Sequence, residues 1–234
     1  MSLPELKKDL SSHADPEKVK ILARFFKTGK GEYGEGDKFI GVKVPAQRTV
    51  ALKYKTIPLK DVEKLLKSQV HEHRLTALLI LTYRFPKLTE REQKEVIDLY
   101  LKNTKYINNW DLVDISAPKL LGTYLLDKHD QRKILHKLAK SKSLWERRIA
   151  MLATYAFIKE KDFNDALKIA ETLLHDKHDL MHKAVGWMLR EIGNRNQETE
   201  EKFLKSHCRS MPRTTLRYAI EKFSEEKRKF YMAK

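Results

Sequence analysis

The feature that most constrains this chain is a recurrence. Amphipathic segments beginning near His71, Asn108, Ser143, Asp179 and Met211 return at intervals of about 36 residues, each opening on polar residues and then burying an apolar face. A shorter amphipathic stretch precedes each of them, marked by stripes such as Val62, Leu65 and Leu66 or Ile134, Leu135 and Leu138. Apolar residues at three- and four-residue spacing indicate helix, and no sustained period-two alternation argues for strands. One helix pair cannot bury its stripe alone, so the pairs must stack. The expected fold is all-α, an α-α superhelical solenoid of helix pairs whose second helices line a concave basic groove.

The breakers sit ahead of that pattern. Five of the eight glycines, Gly29, Gly31, Gly34, Gly36 and Gly41, fall in GKGEYGEGDKFIG, which Val42, Val44 and Pro45 follow. This stretch reads as a loop. From about residue 58 the chain is nearly continuous helix, so residues 1–234 are expected to form a single domain, with about residues 1–57 as an N-terminal cap and glycine-rich loop. Gly29 to Gly34 matches G-x-G-x-x-G, but no strand precedes it, which excludes a dinucleotide site.

Charge narrows the partner. Lysine and arginine number 48 against 32 acidic residues in 234, a net charge of +16. Such an excess marks a polyanion binder, most often of nucleic acid, although charge alone does not separate DNA from RNA or from an acidic membrane surface. The single cysteine, Cys208, forms no internal disulfide and has no second thiol for zinc, which suits a reducing compartment. The opening MSLPELKKDL lacks the apolar core of a secretory signal, and no apolar run approaches the roughly 20 residues of a membrane span. A cytoplasmic location is expected, with no membrane partner. His175, His178 and His182 could share a helix face, but no acidic or thiol ligand completes a set, so no metal is expected. The end, EKFSEEKRKFYMAK, reads as a solvated helix.

Aligning the second helices without gaps places His73, Trp110, Trp145, Met181 and Pro212 in one column. Four residues on, the column reads Ala77, Asp114, Ile149, Val185 and Leu216. Asp114 is a carboxylate where every sibling is apolar, and a half-buried carboxylate costs free energy unless something uses it. Three residues on, Arg148 stands among Thr76, Val113, Ala184 and Thr215; six residues on, Trp187 stands among Leu79, Ser116, Met151 and Tyr218. Departures from a local rule gather at functional sites. Each also has a plain reading: an aspartate in the first turn offsets the helix dipole, an arginine snorkels, a tryptophan fills a core.

The same residues carry a resemblance. GDKFIGVKVPAQR, the W-D-x-V-D run from Trp110 to Asp114 preceded by Asn109, the segment Leu144-Trp145-Glu146-Arg147-Arg148 and the segment from Lys183 to Glu191 resemble, in order and over most of the chain, the DNA alkylation repair family of AlkD-like glycosylases. The resemblance implies HEAT-like repeats gripping duplex DNA that contains alkylated purines. It implies a monofunctional glycosylase that removes cationic N3- and N7-alkylpurines without a cofactor or metal, acts as a monomer and leaves the base largely in the stack. Family roles fall on Asp114 as catalytic carboxylate, Trp110 and Trp187 as active-site indoles and Arg148 as active-site arginine. The glycine-rich stretch from Glu32 to Asp37 departs from better-known members. Two alternatives are a non-catalytic nucleic-acid-binding solenoid, against which Asp114 argues, and a protein-interaction scaffold, which would present a less uniformly basic surface.

Overall fold

The computed structural model describes residues 1–233, whose regular elements are all helices, with no strand among them and one isolated parallel bridge between Lys38 and Val70. The chain divides into two compact units, one of residues 1–116 and one from Ala117 onward.

The first unit opens with α1 (Leu3–Ser12) and α2 (Pro16–Phe25). Ser2 and Glu5 form a capping box on α1, Asp15 caps α2, and each helix has a proline in its first turn, where a missing N–H costs nothing. Helix α2 buries none of its own residues. Then come α3 (Val44–Lys53), α4 (Leu59–Leu66), α5 (His71–Arg84), α6 (Glu90–Lys102) and α7 (Trp110–Ser116). Helix α5 is the axle of this unit: Leu75 and Ala77 through Leu81 are buried, and α3, α4 and α7 pack around it.

The second unit contains α8 (Thr123–Leu125), α9 (Lys133–Ala139), α10 (Leu144–Ala153), α11 (Tyr155–Lys159), α12 (Asn164–Thr172), α13 (Asp179–Gly193), α14 (Gln197–His207), α15 (Arg213–Ala219) and α16 (Glu225–Ala233). Here α13 is the axle, packed by α10, α12, α14 and α15. Its approach to α15 requires Gly186, because a Cβ there would lie 2.5 Å from both the Thr215 carbonyl oxygen and the Tyr218 Cβ.

The repeat is real. Helices α5, α7, α10, α13 and α15 begin at residues 71, 110, 144, 179 and 213, and α4, α6, α9, α12 and α14 precede them in turn. The expected opening pattern fails at α5, where His71, Glu72, His73 and Arg74 are all buried. Their partners explain it. Glu72 accepts the backbone N–H groups of Ile40, Gly41 and Val42, and Arg74 donates to Asp37, so the glycine-rich stretch is clamped onto the start of α5. Gly41 is obligatory in that clamp: its φ is +84°, and a Cβ would meet the Asp15 carbonyl oxygen at 2.0 Å. Among the described residues no helix is long and apolar enough to cross a membrane.

Candidate functional site

Helix α7 carries two of the expected site residues, one turn apart. Asn109 starts it by accepting the Trp110 N–H on its side-chain oxygen at 2.8 Å. Pro118 stops it: without an N–H it cannot donate to the Asp114 carbonyl, and the chain turns instead through a π segment, Pro118–Gly122. Asp114 is half-buried, whereas its column siblings Ala77, Ile149, Val185 and Leu216 are all buried. The carboxylate therefore occupies a core column at a point where the core reaches solvent. At the far end of α7 the Ser116 hydroxyl donates to the Leu112 carbonyl at 2.6 Å and receives the hydroxyl of buried Tyr100 at 3.0 Å. Burial pushes the Tyr100 phenol well up, Ser116 opposes this in part, and the negative charge of Asp114 adds to it.

Trp110 ends an aromatic stack. Its indole lies on Phe26 at 5.5 Å and 25°, Phe26 lies on Phe39 at 5.3 Å, and Phe25, 60% exposed, meets the indole edge-on at 5.9 Å. Behind the stack His71 abuts both Phe26 and Phe39, with ring centroids at 4.8 and 4.7 Å. Its two nitrogens reach two carboxylates, Nδ1 to Asp37 at 3.0 Å and Nε2 to Asp111 at 2.8 Å. Asp37 also accepts from Arg74 at 2.6 Å and Asn108 at 3.3 Å. Burial opposes charge on His71, but Asp111 and then Asp37 outweigh it and raise its pKa to about 9. Burial likewise works against the Asp37 carboxylate, and His71 and Arg74 override it and hold its pKa low. A cavity of about 80 Å³ adjoins the cluster, lined by Phe26, Phe39, Gln47, His71, Glu72 and Asp111 among others.

The second unit holds the other two expected residues. Arg148 is 5% exposed and donates from Nη1 to the Leu180 carbonyl at 2.5 Å, which ties α10 to the first turn of α13. Its neighbour Arg147 instead binds Asp176 at 2.6 Å. Trp187 is half-buried on α13; its indole N–H donates to Glu191 at 3.2 Å, and Tyr155 lies beside the ring at 6.4 Å. Arg195 braces that corner by binding Glu191 at 2.8 Å and covering Tyr155. His178 and His182 have local duties: the first accepts the Leu180 N–H and the second donates to the Asp176 carbonyl. Among the described residues no group of three His, Cys, Asp or Glu side chains could hold a metal ion.

Sequence reasoning singled out Trp110, Asp114, Arg148 and Trp187 and passed over the Asp37–His71–Asp111 cluster. The signal was present as H-E-H-R at the head of a helix, four polar residues in a row where the pattern calls for a single cap.

The family model described as DNA alkylation repair enzyme matches residues 6–223. The chain belongs to this family. A predicted DNA alkylation repair enzyme from Enterococcus faecalis superposes with a TM-score of 0.73 at 16% identity, covering 91% of this chain and 98% of its own. AlkD2 from Streptococcus mutans superposes with a TM-score of 0.56 at 19% identity, covering 90% of this chain and 99% of its own. Another S. mutans UA159 protein, smu.31, gives 0.56 at 20% identity over 78% of this chain and 93% of its own. These likenesses establish a shared helical-repeat fold. A comparison with curated proteins finds no match.

Proposed function

We propose that this DNA alkylation repair family member is a monofunctional glycosylase that hydrolyses the N-glycosidic bond of cationic N3- and N7-alkylated purines in duplex DNA. One observation carries the reading: Asp114 places a half-exposed carboxylate in a column otherwise buried and apolar, one turn from the Trp110 indole. Breaking the bond develops oxocarbenium character on the deoxyribose, which a fixed carboxylate stabilises while orienting the attacking water. The indole face of Trp110 attracts the same growing positive charge. A cationic alkylpurine is already a good leaving group and needs little help from a general acid. From the second unit, Trp187 supplies a further indole, and Arg148, already anchored to Leu180, holds a backbone phosphate. The net charge of +16 supplies the sequence-independent grip on the duplex. The match from residue 6 to residue 223 spans both units, which supports reading them as one functional domain. The enzyme works as a cytoplasmic monomer with no cofactor and no metal in this reading.

The test is single-turnover release of 7-methylguanine from alkylated duplex. Asp114→Asn keeps the shape and removes the charge, so the rate falls by about 10²–10³, the scale for losing one preorganised electrostatic group. Duplex affinity and melting temperature hold or rise. Near-normal release by folded Asp114→Asn protein would end the assignment, and borohydride trapping of an enzyme–DNA adduct would replace water with a lysine nucleophile.

A further inference from the structure

Helix α7 has seven residues, far fewer than the roughly 12–15 at which an isolated helix becomes even marginal in water. Its direction, and therefore the aim of Asp114, is set by its packing on α5 through buried Leu112 and Val113 and by what holds its two ends. The C-terminal end is held by the Tyr100–Ser116 hydrogen bond. At the N-terminal end the hold is Asp111, the residue after Trp110, on His71 Nε2 at 2.8 Å. His71 faces Asp37 with its other nitrogen, and its own backbone N–H donates to the Lys38 carbonyl at 2.8 Å.

We infer that His71 is a positioning residue for the Asp114 carboxylate, joining the glycine-rich loop through Asp37 to the first turn of α7 through Asp111. The inference rests on the glycosylase reading given above. Carboxylates only accept hydrogen bonds, and a neutral imidazole has one N–H, so facing both Asp37 and Asp111 requires the doubly protonated ring. The charges then close: His71 and Arg74 balance Asp37 and Asp111, while Glu72 is occupied by three backbone N–H groups. Lys18 and Lys43 are the other charged groups bordering the adjoining cavity. The rings of Phe26 and Phe39 complete the surroundings of the imidazole, and Phe26 also stacks on Trp110. Losing the proton from His71 leaves one carboxylate facing a ring lone pair. The first turn of α7 then shifts, and with it Asp114 and Trp110.

The experiment is single-turnover release of 7-methylguanine from pH 6 to 10 by wild type, His71→Gln, Asp111→Asn and Asp114→Asn, with melting temperature and undamaged-duplex affinity measured alongside. In wild type the rate falls as the pH rises past about 9, where His71 loses its proton. His71→Gln is slower by up to about 100-fold, the effect of misplacing a reacting group by about 1 Å, keeps wild-type duplex affinity and lacks the alkaline fall. Asp111→Asn retains the imidazole but removes the partner that most favours its charge, so the alkaline fall moves to lower pH. That displacement is the decisive readout, because a merely structural His71 would lower the melting temperature without moving a pH limb in the rate per folded molecule. Folded His71→Gln and Asp111→Asn proteins with wild-type rates, or an alkaline fall unmoved in Asp111→Asn, would overturn the inference while Asp114→Asn remained slow. Wild-type protein that releases no 7-methylguanine would overturn the glycosylase reading and this inference with it.

Discussion

A buried cluster in the first unit and one buried acid in the second are held in opposite ways. In the first, Asp37, His71, Glu72 and Arg74 are all buried, and each has partners of opposite charge or backbone donors. In the second, Glu200 on α14 is buried at 1% exposure, its Oε1 has no hydrogen-bond partner, and burial pushes its pKa to about 9. A buried charge with partners fixes geometry, because each bond specifies a direction, whereas a buried acid without them sheds its charge. The first unit thus has an electrostatic frame behind its carboxylate. The second unit has a paired cluster of its own, buried Arg132 on Asp162 and Asp165, but Glu200 stands outside it, and α13 meets α15 by close backbone approach.

The most severe way to break this contrast is to remove one member of the first unit's cluster. Arg74→Ala leaves Asp37 buried with half its compensation and also removes a donor from the Ser68 and Gln69 carbonyls, of which Gln69 keeps the Lys38 N–H. Stability should fall by about 3–5 kcal/mol, the range for orphaning one partner of a buried pair. Chemical denaturation measures it, and amide exchange should rise first in residues 29–42 and at the head of α5. A loss below about 1 kcal/mol would show that the cluster is surface-like and frames nothing.

What the sequence made legible follows the same division. The helix pairs and their starts were readable because apolar periodicity is local, and at α10 and α13 the expected and observed starts differ by one residue or none. The Asp114 column was readable because four apolar siblings define what the fifth should be. The His71 cluster was not, because its members are 34 and 40 residues apart and meet only after a glycine-rich loop has folded back. Four polar residues opening a helix look solvated in sequence; only their partners show that they are core. The shortness of α7 was likewise hidden, since Pro118 falls inside a stretch that is otherwise helical by pattern.

A gentler test addresses the packing side. Gly186→Ala adds a methyl 2.5 Å from the Thr215 carbonyl oxygen, a backbone atom that cannot swing away. Overpacking of this kind costs about 1–3 kcal/mol, or a melting-temperature loss of about 2–4 °C per kcal/mol in a protein of this size. Differential scanning calorimetry checks it. The loss should appear as increased amide exchange in α13 and α15, with the alkaline limb of excision still set by His71. A variant as stable as wild type would mean that α13 and α15 can separate without cost.

The smallest effect sharpens the contrast most, because it comes from a charge with no frame. Glu200 has a folded-state pKa near 9 against an ordinary 4.5, so the folded protein holds a proton there that the unfolded chain releases between those values. Stability from this group is therefore complete below about pH 4.5 and drains away as the pH rises toward 9. Glu200→Gln keeps the shape and has nothing to titrate. The variant and wild type should melt together near pH 4.5, and the variant should become more stable above it, by about 1–2 kcal/mol near pH 6, with a slope no steeper than about 1.4 kcal/mol per pH unit. His71 also loses stabilisation as the pH rises, from about 6.5 to 9, but it does so in both proteins and cancels in the difference. Thermal melts of the pair at half-unit pH steps isolate Glu200. A difference that does not change with pH would mean that Glu200 is charged and partnered in solution, as Asp37 and Glu72 are in the first unit.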